Sequence, residues 1–211
     1  MIALVTGASS GIGRDIAREL AKRKYDIIAV ARGREALENL KAELEKDYQV
    51  KVDVREQDLT DRGGCKKLHQ NVKEKYGTID VLVNDAGFGT CGKFTETDLE
   101  KEIKMIDTNV VALHILTKLF LQDMVKEDKG HILNVASIAG FMPGPLMATY
   151  YSTKSYVVRL TQSIRHELFK QKSKVKISAL CPGPVATNFN KVADVKFNLA
   201  EADSQYVAKY A

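Results

Sequence analysis

Short apolar runs alternate along this chain with longer stretches in which apolar residues recur every three or four positions. The runs are Ile2–Val5, Asp26–Ala31, Gln49–Val54, Val81–Asn84, His131–Ala136 and Val175–Cys181. Their length and near-continuous hydrophobicity predict parallel strands buried on both faces. Between them, helical periodicity predicts helices near Arg14–Lys24, Glu35–Asp47, Asp61–Tyr76, Thr97–Lys126 and Thr149–Gln171. In the first of these, Ile16, Ala17, Leu20 and Ala21 form the apolar stripe. Strand and helix in strict alternation predict an α/β fold, a Rossmann-like doubly wound parallel sheet with helices on both faces. No repeat, low-complexity tract or internal boundary divides the chain, so residues 1–211 read as a single domain.

Composition narrows the class. With 211 residues, 45% hydrophobic and 28% charged, the chain can bury a substantial core. No apolar run approaches the ~18 residues of a membrane span, and Met1 leads directly into the first strand, so neither a membrane nor a leader peptide is expected. Net charge is +5. The lysines are interleaved with acids, as in Glu38–Lys46, and read as solvated faces rather than a nucleic-acid surface. Cys65, Cys91 and Cys181 are too far apart for a metal or disulfide pattern, which points to reduced thiols and a cytoplasmic location; Cys181 reads as a buried structural thiol. The four histidines lack partner motifs, so no metal site is expected and all four are assigned to structure or surface.

Chemistry enters with Thr6-Gly7-Ala8-Ser9-Ser10-Gly11-Ile12-Gly13, between the first strand and first helix. Glycine permits the tight turn and lets the backbone approach a pyrophosphate, while the helix N-terminus offers unpaired N–H groups to the anion. Without that context the loop is an ordinary glycine-rich turn; with it, the nucleotide reading prevails. About 20 residues further on, an acid would bind the 2′-hydroxyl of NAD; here the second strand ends in Ala31 and Arg32-Gly33-Arg34 follows. An arginine at 32 pairs with a 2′-phosphate, which favours NADP(H), and Ser9 or Ser10 adds a hydroxyl. Arg34 reads as a water-facing neighbour.

Tyr150 and Lys154 form Y-x-x-x-K, with Ser137 thirteen residues upstream. Positions i and i+4 share a helix face, so the Lys154 ammonium sits beside the Tyr150 phenol and is expected to lower its pKa from about 10. A tyrosine so tuned exchanges a proton with an alcohol near neutral pH, and Ser137 hydrogen-bonds the same oxygen. Tyr151 lies three residues from Lys154, so geometry alone leaves it in competition.

Together these motifs resemble the short-chain dehydrogenase/reductase family. Its T-G-x-x-x-G-x-G loop matches at Thr6, Gly7, Gly11 and Gly13; its N-N-A-G segment appears as Asn84-Asp85-Ala86-Gly87; its P-G-x-x-x-T segment is Pro182–Thr187. The resemblance implies a catalytic set of Asn109, Ser137, Tyr150 and Lys154, with Asn109 interrupting its helix and Lys154 also holding the nicotinamide ribose. It implies cofactor contacts from Gly7, Ser9, Ser10, Gly11, Ile12, Gly13 and Arg32, from Asp53 and Val54 beside the adenine, from Asn84, Ala86 and Gly87, and from Pro182, Gly183, Val185 and Thr187 near the nicotinamide. Asp85 departs from the family's asparagine and either turns outward or finds a backbone N–H.

The implied activity is hydride transfer between NADP(H) and a small carbonyl or alcohol substrate, Tyr150 serving as general acid and base. The alternative is a non-catalytic NADPH-binding regulator. Phe88, Phe141, Met142 and Met147 read either as an apolar substrate wall or as packing. Residues 188–200 fall where the family has a substrate lid, with Phe189 and Phe197 able to close over a ligand. Glu201–Tyr210 can begin a further helix, but the family's last strand is not visible in the sequence, and the family commonly forms homodimers or homotetramers. The Gly87–Phe94 wording is similar to a bacterial subgroup known only as oxidoreductases.

Overall fold

The computed structural model describes residues 1–193 and 200–211, with the side chains at 190 and 191 not among them. Six strands form one parallel sheet: β1 (Ile2–Thr6), β2 (Asp26–Ala31), β3 (Val52–Glu56), β4 (Val81–Asn84), β5 (His131–Val135) and β6 (Lys176–Leu180). They lie in the order β3-β2-β1-β4-β5-β6. In β1 the odd positions Ala3 and Val5 enter one core layer and Leu4 the other, as a strand covered on both faces requires.

The first layer is filled by α1 (Gly11–Lys22) and α2 (Arg34–Tyr48) through Ile16, Ala17, Leu37, Leu40 and Leu44. The second is filled by α3 (Arg62–Tyr76), α5 (Leu113–Lys126) and α6 (Ala148–Lys170) through Leu68, Val72, Leu116, Phe120 and Leu168. A short helix α4 (Leu99–Ile106) precedes α5, joined to it by a π-helical turn over Asp107–Ala112. After β6 come α7 (Phe189–Ala193) and α8 (Ser204–Ala208). Ser204 Oγ bonds Asp15 Oδ2 and fixes α8 against α1. On either side of 194–199 the chain is tied to itself by backbone bonds from Ala186 to Ala202 and from Ala202 to Pro184.

The sequence places every strand, and the differences sit at boundaries. Strand β3 is shifted furthest from expectation. Gln49 takes a left-handed conformation (φ 57°) as the C-terminal cap of α2, so the strand begins at Val52 and runs to Glu56. The expected long helix Thr97–Lys126 is present but broken by the π turn that contains Asn109.

Strand order reverses between β1 and β4: β1 connects outward to β2 on one side and pairs with β4 on the other. In a doubly wound sheet the crevice opens at this point, beyond the strand C-termini. The loops after β1 and β4 therefore face each other across it.

Candidate active site

The crevice is a cavity of about 490 Å³, in the range of small-molecule and cofactor sites. One wall is the glycine loop. Gly7 (φ +72°) and Gly11 (φ +57°) take conformations that other residues adopt only with strain. Helix α1 starts at the cavity, and its N-cap, Ser10, makes no side-chain capping bond. Ser10 therefore leaves the first-turn N–H groups without its own cap, and they favour an anion; the Asp85 carboxylate stands beside the one at Gly13. Gly33 has nothing within 4 Å of where a Cβ would stand, and Gly183 only Ile138 Cδ1 at 3.8 Å, so both leave open room along the cleft. Loop, helix N-terminus and open floor fit a dinucleotide.

At the far end of that wall stands Arg32, exposed at the tip of β2 and bordering the cavity with Ser9, Ser10 and Gly33. It acts electrostatically on Asp58 across the cleft. Arg34 pairs with Glu38 at 3.6 Å on the solvated start of α2, as expected of a water-facing neighbour.

Asp53 and Val54 do not reach the cavity. Asp53 accepts bonds from Arg55, Lys75 and Tyr76 in a cluster of its own, and the later register of β3 moves the strand's end past both residues. Asp58 and Leu59 stand at the strand's mouth instead and line the cleft. They too are an acid followed by an apolar residue, a signal present in the sequence one turn further on. Asn84 also stays out of the cavity: it is buried, donating to Thr117 Oγ1 (3.0 Å) and Asn134 Oδ1 (2.9 Å) between β4 and β5. Gly13 lies behind the loop, where a Cβ would stand 2.7 Å from Gly7 O. Ala86 and Gly87 do line the cleft, as do Gly7, Ser9, Ser10, Gly11 and Ile12.

Ser137, Tyr150 and Lys154 meet at the centre. Ser137 follows β5 and starts a 3-10 turn (Ile138–Phe141); its Oγ accepts from Ala139 N (3.1 Å) and donates to Pro182 O (3.4 Å), which fixes its direction. Tyr150 and Lys154 rise from the first turns of α6 on one face, the lysine Nζ 5.9 Å from the tyrosine ring centre. Lys154 Nζ also donates to Val135 O at 2.8 Å. Ser137 hydrogen-bonds the Tyr150 phenol.

The electrostatics differ from the simple expectation for Y-x-x-x-K. Burial pushes the Tyr150 phenol up to about 12, and the Ser137 bond only partly opposes it. Burial also pushes the Lys154 ammonium below its ordinary value, against the pull of Asp85. Tyr150 is thus held as a protonated acid at neutral pH. Tyr151 also lines the cavity, its ring edge-on to Tyr150 with centres 6.1 Å apart.

Asn109 is not a wall residue. It is buried in the π turn, accepting from Phe88 N (3.1 Å) and donating to Phe88 O (2.9 Å) and Thr153 Oγ1 (3.2 Å). It ties the segment after β4 to the helix that carries Tyr150 and Lys154. Asp85, which sequence left between two outcomes, turns inward: its carboxylate lies against the backbones of Gly7 and Gly13, and the Gly13 N–H favours its ionised form.

Pro182, Gly183, Val185 and Thr187 line the other side of the cavity together with Phe189. The end of the cavity beside Tyr150 is apolar, made of Phe88, Ile138, Met147, Tyr151, Phe189 and Val192. Phe141 and Met142 are 55% and 51% exposed and take no part in it. Phe189 packs beside Tyr150, ring centres 5.1 Å apart. Phe197 lies outside the described residues. Cys181, expected to be buried, is only half-buried at the end of β6, whereas Cys65 is the enclosed thiol. His69 bonds Asp123, His114 bonds Tyr156 and His131 bonds Ser178, none of them at the cavity.

Comparison with known proteins agrees with this geometry. The short chain dehydrogenase family matches residues 1–196. An uncharacterized oxidoreductase of Staphylococcus saprophyticus is 34% identical over 186 residues, 88% of this chain and 79% of that protein. The NADP-dependent 3-hydroxy acid dehydrogenase of Schizosaccharomyces pombe is 35% identical over 192 residues, 90% of this chain and 73% of that one. Among solved structures, a short-chain dehydrogenase of Sphingobium yanoikuyae in complex with NADPH superposes with a TM-score of 0.92 at 29% identity, covering 99% of this chain and 81% of that one.

Proposed function

The chain belongs to the short-chain dehydrogenase family, and on that premise we propose that it transfers hydride between NADP(H) and a carbonyl or alcohol substrate with an apolar body. The observation that carries this reading is the meeting of Ser137, Tyr150 and Lys154 in one cavity with the N-terminus of α1 and Arg32. The relatives that bind NADPH or are NADP-dependent support the choice of cofactor.

Gly7, Ser9, Ser10, Gly11 and Ile12 would hold the pyrophosphate and adenosine side, with Asp58 and Leu59 at the adenine and Arg32 at the 2′-phosphate. The donors of Lys154 not used on Val135 would hold the nicotinamide ribose, and Pro182–Thr187 the carboxamide. When bound, the reduced nicotinamide supplies the hydride.

The chain's own part is proton transfer and positioning. Negative charge that grows on the substrate oxygen meets two donors, the Tyr150 phenol and the Ser137 hydroxyl. Tyr150 is protonated at neutral pH and gives up its proton as the alkoxide forms; in the reverse direction it takes one. The 3-10 turn keeps Ser137 aimed, and Asn109 anchors α6 against the segment at Phe88. Phe88, Met147, Tyr151 and Phe189 exclude water and favour an apolar substituent next to the carbonyl.

The test is NADPH oxidation against aldehydes, ketones and diketones of increasing apolar bulk, with NADH in parallel. Turnover preferring NADPH is expected. Tight NADPH binding without turnover across the panel would instead support a non-catalytic regulator.

A further inference from the structure

One charged side chain in the cleft is not used by this mechanism. Asp85 stands where the family has asparagine, in the loop after β4 and at the switch point of the sheet. Its backbone is pinned, because both Asp85 N (3.0 Å) and Ala86 N (3.2 Å) donate to Thr6 Oγ1. Its carboxylate fills the space left by two loop glycines. A Cβ on Gly13 would stand 2.5 Å from Asp85 Oδ2, and one on Gly7 3.0 Å. The Gly13 N–H, one of the first-turn donors of α1, favours the ionised form of the same carboxylate.

An asparagine oxygen would face that N–H without charge. The carboxylate faces it with a negative charge at the end of α1 that would receive a pyrophosphate, and two anions at one helix N-terminus compete for the same field. The groups facing Asp85 are few. From α6 come the Lys154 ammonium, which opposes protonation of the carboxyl, and the Tyr150 phenol; Cys181 at the end of β6 acts on Lys154. From α1 come the helix N-terminus and the Gly13 N–H, and from β1 only the neutral Thr6 hydroxyl. Burial outweighs these and lifts the Asp85 carboxyl well above the usual carboxylate range. The Asp85 carboxyl is therefore far easier to protonate than a solvated one.

We propose that Asp85 is a proton-linked positioning residue of the cofactor cleft: protonated, it holds the glycine loop as asparagine does; ionised, it opposes the anionic dinucleotide. Binding then takes up a proton and weakens as pH rises. This inference rests on the NADP(H) reading above.

The experiment is equilibrium binding of NADPH, followed by nicotinamide fluorescence, at several values between pH 6 and 9 for the protein and for Asp85→Asn. We expect Kd of the unaltered protein to rise at least about tenfold across the range, which is about 1.4 kcal/mol. For Asp85→Asn the rise should be no more than about threefold, with tighter binding than the unaltered protein at pH 9. Ionisation of the ligand's 2′-phosphate remains in the variant, and removing Asp85 lets Lys154 lose its charge at lower pH, which would steepen the variant's profile; a flatter profile in Asp85→Asn therefore belongs to Asp85.

Proton uptake, measured by calorimetry at pH 7.5 in buffers of different ionisation enthalpy, decides the matter if Asp85→Asn does not fold. Uptake by the unaltered protein supports the proposal. Net release or no exchange overturns it, as do parallel Kd profiles. Absence of NADPH binding at every pH would overturn the cofactor reading and this inference with it; binding that is flat with pH would overturn this inference alone.

Discussion

Arg32→Asp is the sharpest test of cofactor choice, because its size follows from where the side chain sits. Arg32 is exposed at the tip of β2 and borders the cleft beside Gly33 and Ser10, so its interaction with a 2′-phosphate is screened by water. A phosphate monoester carries about −1.5 to −2 charges at pH 7. At ~4 Å in high dielectric each unit pair contributes about 1 kcal/mol, so removing arginine costs ~1–2 kcal/mol and adding aspartate about as much again. A total of ~2–4 kcal/mol corresponds to a loss of roughly 30- to 700-fold in the NADPH over NADH ratio of kcat/KM.

Asp58 already places a negative charge nearby, held below the usual carboxylate range first by the Thr60 N–H, so an aspartate at 32 would add to an existing repulsion. The assay is kcat/KM for both cofactors with one carbonyl substrate at low ionic strength, repeated at high salt, where the discrimination should shrink. Arg34→Asp, on the solvated start of α2, should change the ratio by less than about twofold. Equal losses with NADPH and NADH at position 32 would refute the reasoning, and so would an Arg34 effect of the same size.

Tyr150→Phe should lower kcat by at least about 10²–10⁴-fold with NADPH binding intact, whereas Tyr151→Phe should chiefly alter KM for bulky carbonyls; turnover abolished by the second substitution alone would show that the acid is misassigned. Gly13→Ala should abolish NADPH binding or folding, since its Cβ would collide with Gly7 O and Asp85, while Gly33→Ala, with open space around it, should leave thermal stability unchanged. The Asp123 carboxyl is pushed up by burial but held below its ordinary value by Lys73 and His69. A depressed folded pKa gives stability that is present above the unfolded pKa near ~3.9 and lost as pH falls through the folded one. Urea midpoints should therefore fall more between pH 7 and pH 3 for the unaltered protein than for Asp123→Asn, and equal falls would remove Asp123 from the account.

Much of this architecture was legible because parallel strands buried on both faces leave continuous apolar runs, and because the glycine loop and Y-x-x-x-K have spacings fixed by backbone geometry. Val81–Asn84 agrees to the residue. What sequence did not give depends on contacts between distant residues. The left-handed cap at Gln49 slid β3 and exchanged Asp53-Val54 for Asp58-Leu59 at the cleft, a choice the motif alone leaves open. Asn84 reads as a cofactor contact until its partners Thr117 and Asn134, 33 and 50 residues away, are seen to claim it. The sign of the Tyr150 shift has a similar cause: i,i+4 spacing reports proximity of a cation, while the burial that raises the phenol comes from the packing of the whole site around it. The inward turn of Asp85 needs the Gly7 and Gly13 backbones in place before it has anywhere to go.

The π turn at Asp107–Ala112 also sets a phase. Each residue of an α-helix advances about 100° around its axis, so one residue carried as a bulge puts α4 and α5 out of step by about that angle. Met105 on α4 accordingly faces the aromatic cluster around Tyr150, while Leu116, Phe120 and Met124 on α5 face the sheet. One long rod thereby serves two masters, the reaction cavity and the scaffold. Apart from the anchored Asn109, the segment should absorb many single substitutions, yet losing one residue anywhere between Asp107 and Ala112 would let it relax into a plain α-helix. The whole of α5 would then have to swing its apolar stripe off the sheet, or α4 would have to abandon the cavity. Length at this point, more than side-chain identity, is what the fold holds constant.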